Sequence, residues 1–190
     1  MVVGGAGYIG SHMVKALAES GHQVLVVDNF STGFRSAVQD REVIELDIAD
    51  KTALREVFRQ HKIETVLHFA SFIQVGESVS APGKYYQNNV AATLCLLDAM
   101  VEAGVNQFIF SSTAAVFGDP EYVPIDEAHP KAPINPYGRT KQMIEQVLQD
   151  YGVAHGLRSV CLRYFNPAGA HPSRPLRNVL VLGFFRLGRH

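Results

Sequence analysis

Short apolar runs rich in branched residues recur at 1–3, 24–27, 43–46, 65–69, 108–110 and 159–164, and a helix-like segment or a loop separates each from the next. Helical spacing marks 9–20, 52–61, 84–103 and 137–151, and Gly21, Gly104 and Gly152 fall where a left-handed helix stop takes glycine. Strands this short that read apolar throughout have no face left for water, so they belong in a parallel sheet covered by helices on both sides. The pattern predicts an α/β fold with a doubly wound parallel sheet.

With 190 residues and 47% hydrophobic side chains, the chain suits one globular domain with a full core. The last of the apolar runs ends at 164, and 173–190 is an arginine-punctuated apolar tail in which 176–187 shows no clean period. A net charge of -1 without a basic cluster gives no reason to expect nucleic acid or an anionic membrane as partner. No charged-then-apolar leader opens the chain and no uncharged run reaches the roughly 18 residues of a membrane span, so a cytoplasmic location is expected. Cys95 and Cys161, each in an apolar stretch, read as small buried thiols. His68 stands alone on a strand and reads as core, and no histidine pair has metal-ligand spacing on a helix. One connector is turn-rich: five prolines between 118 and 136 forbid a continuing helix, and a long loop beside a sheet edge is usually functional.

Gly4-Gly5-Ala6-Gly7-Tyr8-Ile9-Gly10 follows the first strand and enters a helix. Its glycines can turn the chain tightly and let a pyrophosphate reach the amides at the helix's positive end. Asp28 closes the second strand about 20 residues on, where a carboxylate can accept from both hydroxyls of a ribose. A carboxylate there repels a 2′-phosphate, and Asn29 rather than a basic residue follows it, so NAD is favoured over NADP. The plainer alternative makes the glycines a turn and Asp28 a loop cap.

Tyr137 and Lys141 are four residues apart at the start of a predicted helix and share a face. The ammonium can lower the phenol's pKa from about 10, which a tyrosine base at neutral pH requires. Taken alone, such a pair is as readily a surface tyrosine beside a surface lysine. Ser111-Ser112-Thr113 leaves the fifth strand at the edge where open α/β sheets bind ligands, and a hydroxyl there can bridge substrate and phenolate.

Together these residues resemble the extended short-chain dehydrogenase/reductase family, and the runs GGAGYIGSH, HFASFIQVGESV, YYQNNV, FIFSSTAAVFGD, NPYGRTK and LRYFNPAGAHP are similar to its UDP-glucose 4-epimerases. The resemblance implies a Rossmann-like domain over 1–172. It makes Tyr137, Lys141 and Thr113 catalytic, with Tyr137 the base. Gly4, Gly7, Gly10, Tyr8 and Ile9 would sit at the pyrophosphate, Asp28 and Asn29 at the adenine ribose, and Asp47 and Ile48 beside the adenine. Phe69, Ala70, Asn88, Tyr137, Lys141 and Phe165 would complete the cofactor site, and Thr113, Tyr137 and Asn166 would touch a UDP-hexose. The implied reaction interconverts UDP-glucose and UDP-galactose: sugar C4 gives a hydride to NAD as Tyr137 takes the 4-hydroxyl proton, the 4-keto sugar rotates, and the hydride returns to its other face. A homodimer through the helices at 84–103 and 137–151 is a further implication.

The chain departs from this pattern in places. Thr113 stands where many relatives have serine, and Ile73 falls about where some epimerases carry a lysine. The family's substrate-binding half is missing, so weak or absent turnover by this chain alone is expected. Another sugar-nucleotide dehydratase or decarboxylase is an alternative, although Ala114 and Ala115 occupy the stretch where dehydratases add acids; a non-catalytic NAD-binding module is another. The absence of a G-x-S-x-G elbow excludes the usual α/β hydrolase.

Overall fold

A computed structural model describes residues 1–38, 41–169 and 188–189. In chain order the strands are β1 (Val2–Val3), β2 (Leu25–Asp28), β3 (Glu42–Glu45), β4 (Val66–His68), β5 (Gln107–Thr113), β6 (Arg158–Tyr164) and β7 (Gly188–Arg189). The helices are α1 (Tyr8–Glu19), α2 (Lys51–Gln60), α3 (Val75–Ser80), α4 (Pro82–Tyr85), α5 (Ala92–Glu102) and α6 (Pro136–His155), with a π-helical segment Tyr86–Ala91 joining α4 to α5. The sheet order is β3-β2-β1-β4-β5-β6-β7, parallel from β3 to β6, with β7 antiparallel to β6. The expected doubly wound parallel sheet is therefore observed.

The alternation of side chains along each strand divides the core. Val2, Val26 and Leu67 turn to one face and pack with Val14 of α1. Val3, Val27 and Val66 turn to the other and meet Leu54 of α2, Leu96 and Leu97 of α5, and Ile144 and Leu148 of α6. Central β1, β2 and β4 are buried throughout, as continuous apolar runs require. His68, expected in the core, is fully buried. The chain switches sides between β3 and β4, so the loops after β1 and β4 part and open a crevice at the carboxyl ends of the strands.

Several boundaries differ from those the sequence predicts. Gly21 and Gly104 do stop α1 and α5, with φ of 83° and 72°, but α6 passes through Gly152 and ends at Gly156, φ 69°. Glycine inside a helix costs only about 1 kcal/mol, which the packing of Leu148 and Tyr151 on the core outweighs. The single helix expected at 84–103 is three segments, beginning earlier at Pro82 and carrying the π turn. β5 extends through Ser111, Ser112 and Thr113, which pair with Leu162, Arg163 and Tyr164 of β6. The hydroxyl residues thus end the strand rather than follow it. α3 lies where no helix was predicted.

The boundary at 172 and the tail 173–190 lie outside the described residues, apart from β7. Among the described residues no helix is long and apolar enough to cross a membrane, and no cluster of side chains could hold a metal ion.

Candidate active site

The glycine turn is built by contact. Gly4 has φ +74°, and a Cβ there would lie 2.4 Å from the amide nitrogen of Ala70. A Cβ on Gly10 would lie 2.1 Å from the Gly4 carbonyl oxygen, so this glycine serves the closure of the turn on α1. Gly7 is different: a Cβ there would meet only the Gly4 carbonyl oxygen, at 3.5 Å, and the position faces open space in the crevice. Gly7 is also the N-cap of α1, which has neither a side-chain cap nor an acidic residue in its first turn. The positive end of α1 is left open to an anion.

A solvent-open cleft runs from this turn along the carboxyl ends of β1, β2 and β4. Of the expected cofactor residues, Gly4, Gly7, Asp28, Asn29, Asp47, Ile48, Phe69, Ala70 and Asn88 line it. Asp28 is 8% exposed; one carboxylate oxygen accepts the Ala6 amide at 2.8 Å and the other the Phe30 amide at 2.8 Å. The plain loop-cap role and a place in the cleft therefore coexist in one side chain. Asn29 donates to the Asp47 carboxylate at 3.0 Å and accepts from the Ser31 amide at 3.0 Å, joining the loops after β2 and β3.

Tyr137 and Lys141 lie on the first turns of α6, which starts at Pro136 and is capped by Asn135 accepting from the Gly138 amide at 2.8 Å. Gly138 permits close approach: a Cβ there would lie 2.7 Å from the Ala115 carbonyl oxygen, just past β5. Thr113 Oγ1 accepts from the Ala115 amide at 3.1 Å, and its hydroxyl lies close enough to the Tyr137 phenol to favour the phenolate. Lys141 is fully buried; its ammonium donates to Ser71 Oγ at 2.7 Å and to the Ser111 carbonyl at 2.8 Å, and lies 4.8 Å from the centre of the Phe110 ring. Burial brings its pKa down to about 7. The phenol differs from expectation: burial raises its pKa, the Thr113 hydroxyl opposes that, and the ammonium, 6.0 Å from the ring centre, spends its protons elsewhere.

The sequence matches the description "NAD dependent epimerase/dehydratase family" over residues 1–182. The chain belongs to this family. It is 55% identical over 170 residues to a UDP-glucose 4-epimerase of Rhizobium meliloti (strain 1021), covering 90% of this chain and 52% of that protein. A crystal structure of UDP-glucose 4-epimerase from Brucella ovis in complex with NAD superimposes with a TM-score of 0.88 at 50% identity, covering 90% of this chain and 52% of that one. A UDP-N-acetylglucosamine 4-epimerase from Methanobrevibacter ruminantium M1 gives 0.82 at 33% identity, covering 94% and 58%. The chain spans about half the length of the curated relatives it matches.

Not every residue expected from an epimerase/dehydratase reaches the cleft. Tyr8 is 48% exposed and donates to the Gly169 carbonyl at 2.6 Å, Gly10 packs on the Gly4 carbonyl, and half-buried Ile9 does not line the cleft. Phe165 is 51% exposed and Asn166 is exposed, both beyond the end of β6. Conversely, Ser31, Thr32, Ser71 and Phe72 line the cleft without having been singled out. Ser71 follows directly on the Phe69 and Ala70 pair; a hydroxyl just past a strand on the switch-point edge was the available signal. Glu145 was also missed. It is 4% exposed, paired with Arg163 through two bonds of 2.8 and 2.6 Å, and accepts from Ser112 at 2.6 Å.

Proposed function

We propose that this chain forms the NAD-binding part of a UDP-hexose 4-epimerase that interconverts UDP-glucose and UDP-galactose. The observation that carries the reading is the bond from Lys141 to Ser71, because Ser71 lines the same cleft as Gly4, Gly7 and Asp28. That bond ties the helix bearing Tyr137 to the loop after β4, which borders the cleft beside the glycine turn, and supports a single site spanning both.

The residues fit a dinucleotide. Gly7 keeps space clear before the open end of α1, where Tyr8 and Ile9 begin the first turn and a diphosphate is best stabilised. Asp28 keeps lone pairs free after accepting two amides and would take the ribose hydroxyls. Asn29 would stand with it at the ribose and Asp47 and Ile48 beside the base, with Phe69, Ala70 and Asn88 along the cleft; Phe165, beyond the end of β6, would complete the cofactor site. When bound, NAD supplies a hydride acceptor at sugar C4 that returns the hydride later. Tyr137 would remove and restore the 4-hydroxyl proton, Thr113 would hold both the sugar hydroxyl and the phenol oxygen, and Asn166 would contact the sugar nucleotide. Lys141, held by Ser71 and Ser111, would fix the cofactor's ribose and add positive charge near the phenol. Pairing of two copies through α5 and α6 belongs to the same reading; α6 exposes Met143 and Val153.

A thermal-shift titration of the purified chain with NAD and with NADP tests this. At a hundredfold excess over Kd, NAD should raise the melting temperature by roughly 5–10 °C while NADP at equal concentration leaves it unchanged. A cooperative transition that ignores both nucleotides would remove the proposal. Where NAD binds, even slow conversion of UDP-galactose to UDP-glucose, lost in Tyr137→Phe with NAD binding kept, would support the epimerase assignment.

A further inference from the structure

We infer that Asn89 is a positioning residue that holds Ser71 against Lys141, an inference that rests on the placement of Lys141 in the proposed site. Asn89 is 1% exposed and lies within the π-helical segment Tyr86–Ala91. Its carboxamide bonds both ends of one loop residue: the oxygen accepts from the Phe72 amide at 2.9 Å, and the nitrogen donates to the Phe72 carbonyl at 3.0 Å. This is the paired pattern by which a neighbouring strand would hold a peptide, supplied here by one side chain just after β4, where the sheet offers no partner. The same nitrogen donates to Thr140 Oγ1 at 3.2 Å, and Thr140 donates to the Tyr137 carbonyl at 2.7 Å. The Asn89 oxygen takes a second bond from Asn88 at 2.9 Å, so its acceptor and both donor positions are used.

The segment's own position is fixed from behind. Thr93 Oγ1 donates to the Asn89 carbonyl at 2.8 Å, so the His68 Nε2 contact at 3.0 Å places a proton on that nitrogen. The π turn fits this arrangement, because an extra residue per turn rotates a side chain out of the ordinary helical row; such turns occur at functional sites. Ser71 is adjacent to the clamped Phe72, and its hydroxyl has the Lys141 ammonium at 2.7 Å. Asn89 touches neither the cleft nor the ammonium, and acts through the loop.

Lys141 itself reports the effect. The ionisable groups around it are His68 on β4, Tyr137 on its own helix and Cys161 on β6. Its titration can be followed by NMR of the chain carrying 13C-labelled lysine, with the Lys141 signal assigned from Lys141→Met. Ser71→Ala should lower the midpoint by about one unit, because a buried ammonium loses an acceptor. Asn89→Ala should lower it comparably, and adding Ser71→Ala to Asn89→Ala should change nothing further. If Asn89→Ala does not fold, the isosteric Asn89→Asp replaces it, since it sets an oxygen against the Phe72 carbonyl and the added charge cancels within the cycle. An undiminished effect of Ser71→Ala in either Asn89 background, or no effect in the parent chain, would overturn the inference. The titration is read without dinucleotide, so failure here is distinct from failure to bind NAD.

Discussion

The Ala6 amide donates to the Asp28 carboxylate at 2.8 Å, bridging the glycine turn and the end of β2. One acid thereby shapes the turn and borders the cleft, so its removal should affect stability as well as binding. Asp28→Ala leaves two amides without their acceptor and should cost about 2 kcal/mol, lowering the melting temperature by roughly 4–8 °C. Asp28→Asn, which keeps one acceptor oxygen, should lose less. Differential scanning calorimetry of both variants checks the order, and equal melting temperatures would contradict it.

Gly7 and Gly10 should separate binding from folding. Gly10→Ala drives a Cβ to 2.1 Å from a backbone oxygen and should destabilise the chain by more than about 2 kcal/mol. Gly7→Ala meets nothing nearer than 3.5 Å and should stay within about 1 kcal/mol of the parent, yet lose most of its stabilisation by NAD. Melting curves with and without NAD distinguish the two.

Lys141 gives a pH dependence with a defined sign. Its pKa is lowered from 10.5 in the unfolded chain to about 7 in the fold. Between those values the unfolded chain binds the extra proton, so this group's destabilisation is complete below about pH 7 and is relieved as pH rises. From pH 7 to 9 the parent should gain about 2 kcal/mol relative to Lys141→Met. Urea midpoints at the two pH values measure this, and parallel changes in both proteins would count against it.

Glu145 joins β5, β6 and α6 beneath the proposed site. Burial raises its pKa, but Arg163 and Ser112 oppose this, Lys131 adds a further attraction, and the net shift is downward. A carboxylate with a depressed folded pKa contributes stability above its unfolded value, about 4.3, and loses it as pH falls through the folded value. Glu145→Ala strands the Arg163 guanidinium and should cost about 3 kcal/mol at pH 7. The penalty should shrink at acid pH, which unfolding midpoints at pH 7 and pH 4 would show.

How much was legible follows from how local each signal is. The glycine turn, Asp28 at the end of β2, the Tyr137 and Lys141 pair and the Thr113 hydroxyl are all short-range patterns with a backbone reason for their spacing. The structure brings Thr113 and Tyr137 together and places Asp28 against the turn. Ser71, Asn89 and Glu145 carry no such pattern. Each gains its place from partners 70, 17 and 18 residues away, which no local period records. The same distance from local pattern explains the π turn, whose sequence reads as ordinary helix, and the passage of α6 through Gly152.

By itself the sequence determined the alternation of strands and helices, the parallel sheet and the candidates for reactive side chains, because hydrophobic period, glycine freedom and side-chain chemistry are written residue by residue. The charge states of those side chains were decided by the tertiary structure alone. Spacing predicts an ammonium that lowers the Tyr137 pKa. In the fold, Lys141 is buried and its protons go to Ser71 and Ser111, its own pKa falls to about 7, and burial pushes the phenol upward. The reason is that desolvation and hydrogen-bond partners set a pKa, and both arise only when segments far apart in the chain close around the group.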